Sequence, residues 1–565
     1  MARASSSRLW RPLLSAAPDE WRATPFYRAS RVDAAERIAL WGHDPRIGDQ
    51  RRGKEILNGQ WRIATEKLAG SHPMPWSAGH PSPHFTSRLH SFSWLGDLAS
   101  VGQESHPRIL HLVERWVSGF GQWHENAWAP ELTAERLYAW LCHGRPAFDS
   151  AAPAQRAAML QSFAWQANHL FAAWKDLRIP FHRFKAGAAL ALSGLALGDA
   201  GERIAEQGVE LLEEACDSQF HPDGGHLSRA PEALAEALYD LLTVDDALAR
   251  GGYETPSLIR DAMPRAATML RLFRLGDGAL TCFHGGAESN AETLARAINE
   301  AGGETPTFKF ATQSGYQLLS GGDALLMLDV GAAPPPAHGE RAHASALAFE
   351  MSCGKDRLIV NVGAARELAP DWRAAARATN GHSTLVVDDA LSAEFARPRK
   401  GAAYPLDFTV HSKRMEEDDG VHIEARHEGY RDEFGFVHRR FIFMDKAGRN
   451  LRGADELGRP FADGKSAQTA AIPFAVRFHL HPGVKAEWSA PREPKLTTPS
   501  GAVWRLRTDA TRVAFENSVY LSGSSAYADK PARETTQIVL AGAADPNGAG
   551  DAPPNRLRWA LTRMD

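Results

Sequence analysis

The sequence predicts a multidomain α+β protein, with a helical N-terminal half that suits a bundle or α/α toroid followed by a C-terminal antiparallel β-sandwich. Three observations carry this. A chain of 565 residues is too long for one hydrophobic core. Residues from about 105 to 280 repeat apolar positions at helical spacing, and beyond about 285 the apolar residues fall into short, alternating or β-branched runs. With the change of period near 300, the expected domains are 1–300, helical, and 301–565, β-sandwich.

In the helical half, Leu160, Phe163, Ala167, Leu170, Phe171 and Trp174 mark one apolar helix face. On that helix, at about 100° per residue, Asn168 falls at the edge of the face and His169 opposite it, so both are expected outside the core. Further helices are expected around 132–143, 185–198, 203–217, 232–243 and 257–274. Short connections bearing Gly, Pro or Asp make neighbouring helices antiparallel. A polar, Gly-bounded stretch, GGAESNAETLARAINEAGGETP, leads into the second half. There YQLLS, ALLMLDVG, ALAFEMS, RLIVNVG, STLVVDD, VHIEARHEGY, FVHRRFIFM and FAVRFHLH read as strands. Many short strands without helices between them pack as antiparallel sheets.

Composition excludes several classes. A net charge of −4 gives no general attraction for polyanions, so nucleic-acid binding has no support and an anionic ligand would need a locally basic site. Cys142, Cys216, Cys282 and Cys353 are far apart and form neither a zinc ribbon nor a disulfide framework. No run approaches the roughly 18 apolar residues of a membrane span. The first residues, MARASSSRLWRPLLSAAPDEW, make a poor export signal because Arg11 and Pro12 interrupt the apolar run, so the sequence itself points to the cytoplasm. Sixteen tryptophans suit either stacking on sugars or the core.

Polar groups gather at a few junctions. HPDGGHLSRAPEAL, 221–234, opens a helix: Ser228 can cap, Pro231 suits the first turn and Glu232 the positive end of the dipole. His226 and Arg229 have no such role. RIPFHRFKAGAAL places His182, Arg183 and Lys185 at a helix start, where cations are unfavourable unless an anion or solvent holds them. RLFRLGDGALTCFHGG brings Arg271, Arg274, Asp277 and His284 around a Gly-Asp-Gly turn. In the β half His343, Asn361 and His382 sit at strand ends that adjacent antiparallel strands can bring together, as a metal site or as satisfied histidines.

Taken in order, RLYAW (136–140), NHL (168–170), DGGHLSRAP (223–231), RLGDG (274–278), SGYQLL (314–319), AHASALAFE (342–350), NGHSTL (380–385) and RFHLHP (477–482) resemble the heparinase II/III family of polysaccharide lyases, from about residue 85 to the C-terminus. The resemblance implies an N-terminal α/α toroid, a C-terminal antiparallel β-sandwich and a periplasmic setting. It implies β-elimination on a uronic-acid-containing glycan. The uronate C5 proton is hardly acidic until donors or cations neutralise the neighbouring carboxylate. A base then removes it and an acid protonates the leaving oxygen, with no cofactor required.

By matching motifs, the catalytic set is Asn168, His169, His226 and Arg229. Asn168 with Arg229 would neutralise the carboxylate, and His169 or His226 would act as base. Arg183, Lys185, His284 and Arg341 are expected to bind the acidic polysaccharide, and His343 with His382 to close over the cleft or hold a structural zinc. Three positions depart from the family pattern. Ala233 stands where members carry a tyrosine, with Tyr239 the nearest, and His226, His169 or a tyrosine from elsewhere, such as Tyr316 or Tyr430, would have to substitute. Arg341-Ala342-His343 replaces a His-x-His pair, and Asn361 replaces an aspartate. The leading expectation is therefore a lyase of a divergent branch; the alternatives are a glycan-binding pseudo-lyase and a hydrolase using Asp223 and Glu232.

Overall fold

A computed structural model describes residues 36–63, 66–364, 368, 370–396, 403–406, 408–459, 470–521, 532–548 and 551–564. The N-terminal stretch read above for an export signal lies outside them. The described chain forms two compact units. One holds the residues up to Asp217 together with Tyr239–Arg260; the other holds Ser218–Leu238 and the chain from Asp261 onward. The change from helices to strands falls between the helix Ala291–Glu300 and the strand Phe310–Ala311.

The first unit is built from helical hairpins. Its main helices are His106–Phe120, Pro130–His143, Pro153–Ala173, Pro180–Leu197 and Glu202–Ser218. Proline at the first helical position starts three of them, where its missing N–H costs nothing. Asp49 caps Gln50–Leu57 by accepting from Arg51 N at 2.9 Å, and Ser82 caps Pro83–His90 through Phe85 N at 3.1 Å. No helix among the described residues is long and apolar enough to cross a membrane.

The helix Pro153–Ala173 buries its expected face at Leu160, Phe163, Ala167 and Leu170, but burial extends further round it than expected. Ser162, Gln166 and His169 are buried, whereas Phe171 and Trp174 are half-exposed. The cause is Arg136, fully buried on the neighbouring helix, which donates to Gln166 Oε1, His90 O and Ala127 O and lies 4.3 Å from the Trp116 ring centroid. Desolvation pushes its pKa down to about 9. A polar seam is thus buried in addition to the apolar face of Leu160, Phe163, Ala167 and Leu170, on the side that hydropathy assigns to solvent.

The second unit is an antiparallel sandwich. An eight-stranded sheet runs in the order Val410–Glu416, Gly420–His427, Val437–Asp445, Asn450–Gly458, Arg556–Arg563, Val503–Thr508, Glu493–Thr497, Lys485–Ala490. A nine-stranded sheet runs Arg512–Tyr520, Arg533–Ala544, Ile472–Leu480, Asp356–Val360, Phe349–Cys353, Ala324–Asp329, Tyr316–Gly321, Phe310–Ala311, with Leu385–Val387 also paired to Ile472–Leu480. Leu326, Phe349, Ile442, Leu457, Phe478, Trp504 and Trp559 are among the buried side chains of both sheets that form one core. Each such side chain contributes about 1.5–3 kcal/mol by leaving water. Asp455 lies inside that core and accepts from Arg440, His438 and Trp559. Burial opposes its charge, but Arg440 and His438 outweigh burial and hold it ionised.

Candidate functional site

The HPDGGH loop is a rigid hairpin of the second unit. His221 N donates to Gly225 O at 2.7 Å, Leu227 N donates to Gln219 O at 2.9 Å, and Phe220 pairs with His226 as an isolated bridge. Only glycines fit its turn. A Cβ on Gly224, whose φ is +91°, would lie 2.2 Å from Arg265 O, and one on Gly225 would lie 1.9 Å from Ser314 Oγ. Asp223 clamps the loop, accepting from Ser314 N at 2.8 Å, Ser314 Oγ at 2.7 Å and Gly225 N at 3.1 Å. That leaves Asp223 a structural role, which counts against the hydrolase reading.

His226 is buried. Ser228 N donates to its Nδ1 at 3.1 Å, which puts the ring proton on Nε2. Ser228 Oγ lies 2.7 Å from the same nitrogen and accepts from Ala230 N, so Ser228 closes a turn just before the helix Pro231–Arg250 instead of capping it. The His226 ring meets His338 edge to face at 5.7 Å. Burial first, then the charges of His338, Arg341 and His221, push the His226 pKa down to about 3. His221 and His338 are also held low, chiefly by desolvation. Arg341 lies 3.4 Å from Glu236. His338 and Arg341 both come from the 3-10 turn Pro336–Arg341, which the preceding prolines set up within the connection between two paired strands. Sequence reasoning missed His338, although PPPAHGER carried the signal.

Arg229 is placed differently from expectation. It adopts a left-handed conformation, φ +58°, and is 7% exposed. Nε donates to Ser314 O at 2.9 Å, Nη1 to Ala332 O at 2.9 Å and Gly331 O at 3.3 Å, and Nη2 to Gly315 O at 3.0 Å and to Asp329 Oδ1. All five N–H groups therefore point into the protein, leaving none for a substrate carboxylate. Gly331 is required here, because a Cβ would lie 2.3 Å from Arg229 Nη2. Burial alone would raise the Asp329 carboxyl, but Arg229 and His284 outweigh it and keep the group ionised. Asp329, at the end of an apolar strand, was also missed.

His284, expected on the substrate, is 2% exposed and turned inward. Its Nδ1 accepts from His343 N at 3.2 Å and its Nε2 lies 3.3 Å from Asp329 Oδ2. Tyr316 donates its hydroxyl to Arg229 O at 2.6 Å and Tyr430 donates to Leu385 O at 3.0 Å, so neither offers a proton to a ligand.

His343 and His382 do meet, but not as a zinc site. His382 Nδ1 donates to Ala378 O at 2.9 Å, so its Nε2 accepts from His343 Nδ1 at 3.1 Å. Asn361 is occupied elsewhere: Nδ2 donates to Glu350 Oε1 at 3.2 Å and Oδ1 accepts from Ser383 N at 3.0 Å. Among the described residues no His, Cys, Asp or Glu completes a set of three with this pair. Two imidazoles committed to hydrogen bonds do not fit a tetrahedral zinc.

In the helical unit, His169 is buried with Nε2 2.7 Å from Trp128 O, contrary to its expected exposed position. Asn168 is half-buried and donates to Ala164 O at 2.9 Å. The helix expected from 185 begins at Pro180, which puts Arg183 and Lys185 inside its first turns. Arg183 Nε donates to Leu177 O at 2.7 Å, and Lys185 Nζ lies 2.8 Å from Asp240 Oδ2. Asp240 also accepts from Arg46, whose guanidinium sits 5.5 Å from the Tyr138 ring and 5.1 Å from Tyr239. An internal carboxylate, not a ligand, therefore accounts for the cation Lys185 at this helix start.

Residues 303–560 match the family model described as Heparinase II/III-like, C-terminal. The chain belongs to this heparinase II/III-like family and is a polysaccharide-lyase-like protein. It is 32% identical over 584 residues to the FtsZ-localized protein C of Caulobacter vibrioides, a match covering 100% of this chain and 98% of that one. Among solved structures, it is similar to heparinase III, with a TM-score of 0.68, 14% identity and coverage of 95% of this chain and 88% of that chain. The heparan sulfate lyase HepC from Pedobacter heparinus, in a mutant form, gives a TM-score of 0.60 at 16% identity, covering 98% and 88%. The shared fold is an α/α toroid followed by an antiparallel β-sandwich.

Proposed function

We propose that the chain binds acidic, uronate-bearing glycans and does not cleave them by β-elimination. The observation that carries this reading is the Arg229 guanidinium, whose five N–H groups are all taken up by protein acceptors. Elimination needs donors on the substrate carboxylate as charge develops. Ala233, where the family resemblance calls for tyrosine, is 1% exposed. The buried His226, with a pKa pushed down to about 3, lies roughly four units below the range that suits a general base at neutral pH.

What remains is a set of cationic and cation-forming groups. Arg341, His338 and His221 are half-buried beside the loop of the second unit, where an anion would replace their mutual repulsion with attraction. The Caulobacter relative is named for localization with FtsZ, not for a reaction on a polysaccharide, which also favours binding.

The test offers the purified full chain to heparan sulfate, hyaluronan and alginate, reading ultraviolet absorbance for unsaturated product and calorimetry for binding. The expected result is a flat absorbance trace with salt-sensitive binding that Arg341→Ala and His338→Ala weaken. A rising absorbance on any polymer would overturn the proposal and restore the lyase reading. Absence of binding to every polymer would overturn it as well.

A further inference from the structure

We propose a second ligand site, for a zinc-type divalent cation, on the hairpin that joins Val410–Glu416 to Gly420–His427. The two strands pair with Met415 opposite His422 and Glu416 opposite Val421, and the turn closes through Glu417 N to Gly420 O at 2.9 Å. Side-chain alternation along this ladder puts Glu417 and His422 on one face. Asp419, in the turn, is fixed by its carbonyl, which accepts from Lys446 N at 3.1 Å.

The three side chains converge. His422 Nε2 lies 3.9 Å from Glu417 Oε2 and 3.7 Å from Asp419 Oδ1. These are the one group of three His, Cys, Asp or Glu donors among the described residues close enough to share an ion. A charge-assisted hydrogen bond would draw such atoms to about 2.7–2.9 Å. Ligands around a tetrahedral zinc, with bonds of about 2.0–2.2 Å, stand roughly 3.3–3.6 Å apart. The observed gaps are within a few tenths of an ångström of the second figure, far from the first.

An independent observation is His422 Nε2 itself, which is shut off from solvent and has no hydrogen-bond partner. Its ring rests on Phe443 with centroids 4.5 Å apart, which aims the nitrogen toward the carboxylates. The His422 side chain is 34% exposed, but this nitrogen is covered and faces two carboxylates across a gap that a bound cation would fill. Glu417 and Asp419 are 60% and 67% exposed, so the remaining coordination positions open to water and the ion exchanges. Val410–Glu416 ends its sheet, so the ion would tie down the tip of an edge hairpin.

The experiment is calorimetry of the metal-free full chain with zinc chloride, paired with the visible spectrum of the cobalt-substituted protein. One zinc per chain is expected, with a tetrahedral cobalt spectrum. His422→Ala and Glu417→Gln should each weaken binding at least as much as the 10–100-fold that loss of a supporting group costs at metal sites. His411→Ala, on the same hairpin, and His343→Ala should bind as the parent does. Glu417→Gln changes an exposed side chain and so keeps the test valid if His422→Ala fails to fold. Failure to bind zinc, binding that survives both site variants, or binding abolished by His343→Ala would each overturn the proposal.

Discussion

Arg229 and Asp329, a hundred positions apart in the chain, form a buried ion pair that joins the HPDGGH loop to the end of a central strand. Both side chains are nearly inaccessible, at 6% and 1%. Removing one partner strands the other charge, which costs about 3–5 kcal/mol. Asp329→Ala is expected to destabilise the β-containing unit by that order, read as a lower urea midpoint. Arg229→Lys should recover little, since Lys cannot supply the forked contacts to Ser314, Gly315 and Ala332. An unchanged midpoint in Asp329→Ala would refute the structural role.

Ala233→Tyr is expected not to create elimination activity. The position is 1% exposed on the helix Pro231–Arg250, so a phenol there overpacks the core and costs about 1–3 kcal/mol. Thermal unfolding and the absorbance assay on one sample check both halves of this statement.

Acid should unfold the chain in two stages. Buried His226 and His479 titrate at about 3 and His382 at about 4 when folded, below the ordinary 6.5. As pH falls through 6.5 the unfolded state takes up protons that the native state refuses, so stability is complete above that pH and declines below it. Each histidine contributes up to about 1.4 kcal/mol per pH unit until its folded pKa is reached. Asp329 and Asp455, held low when folded, add a second loss below about pH 4. Urea midpoints between pH 7.5 and 4 measure the first stage, and His382→Asn should flatten its slope.

Glycan affinity should rise as pH falls from 7.5 to 5.5. In the free protein burial and neighbouring cations keep His221 and His338 below 6.5, and a bound carboxylate raises them, so binding takes up protons. Glu236, beside Arg341, sets the opposing charge. Calorimetry in buffers of different ionisation enthalpy reads the uptake directly; none would contradict the assigned groups.

The helices and strands were legible because their periods reflect which side meets the core. Pro180, Pro231 and the strand VHIEARHEGY all begin within a few residues of expectation. Hydropathy failed where charge lies inside. Arg136 and His169 form a polar seam between helices, and Arg229, His284 and Asp329 lock together from three distant stretches. A sequence shows that Arg229 is a cation next to a loop. It does not show that four carbonyls and the Asp329 carboxylate, 85 to 103 residues away, accept all its protons. The motif was read correctly as a polar cluster, and its partners turned out to be internal.

The two compact units trade segments of chain at three places, near 217, 238 and 260, so neither is a continuous stretch of polypeptide. The segment 218–238 lies more than sixty positions before the family match at 303 yet supplies Arg229 to the β-containing unit. A gene fragment cut near 300 would leave Asp329 in one product and its guanidinium in the other. The two halves of the sequence, cut there, are therefore not expected to fold as free-standing modules.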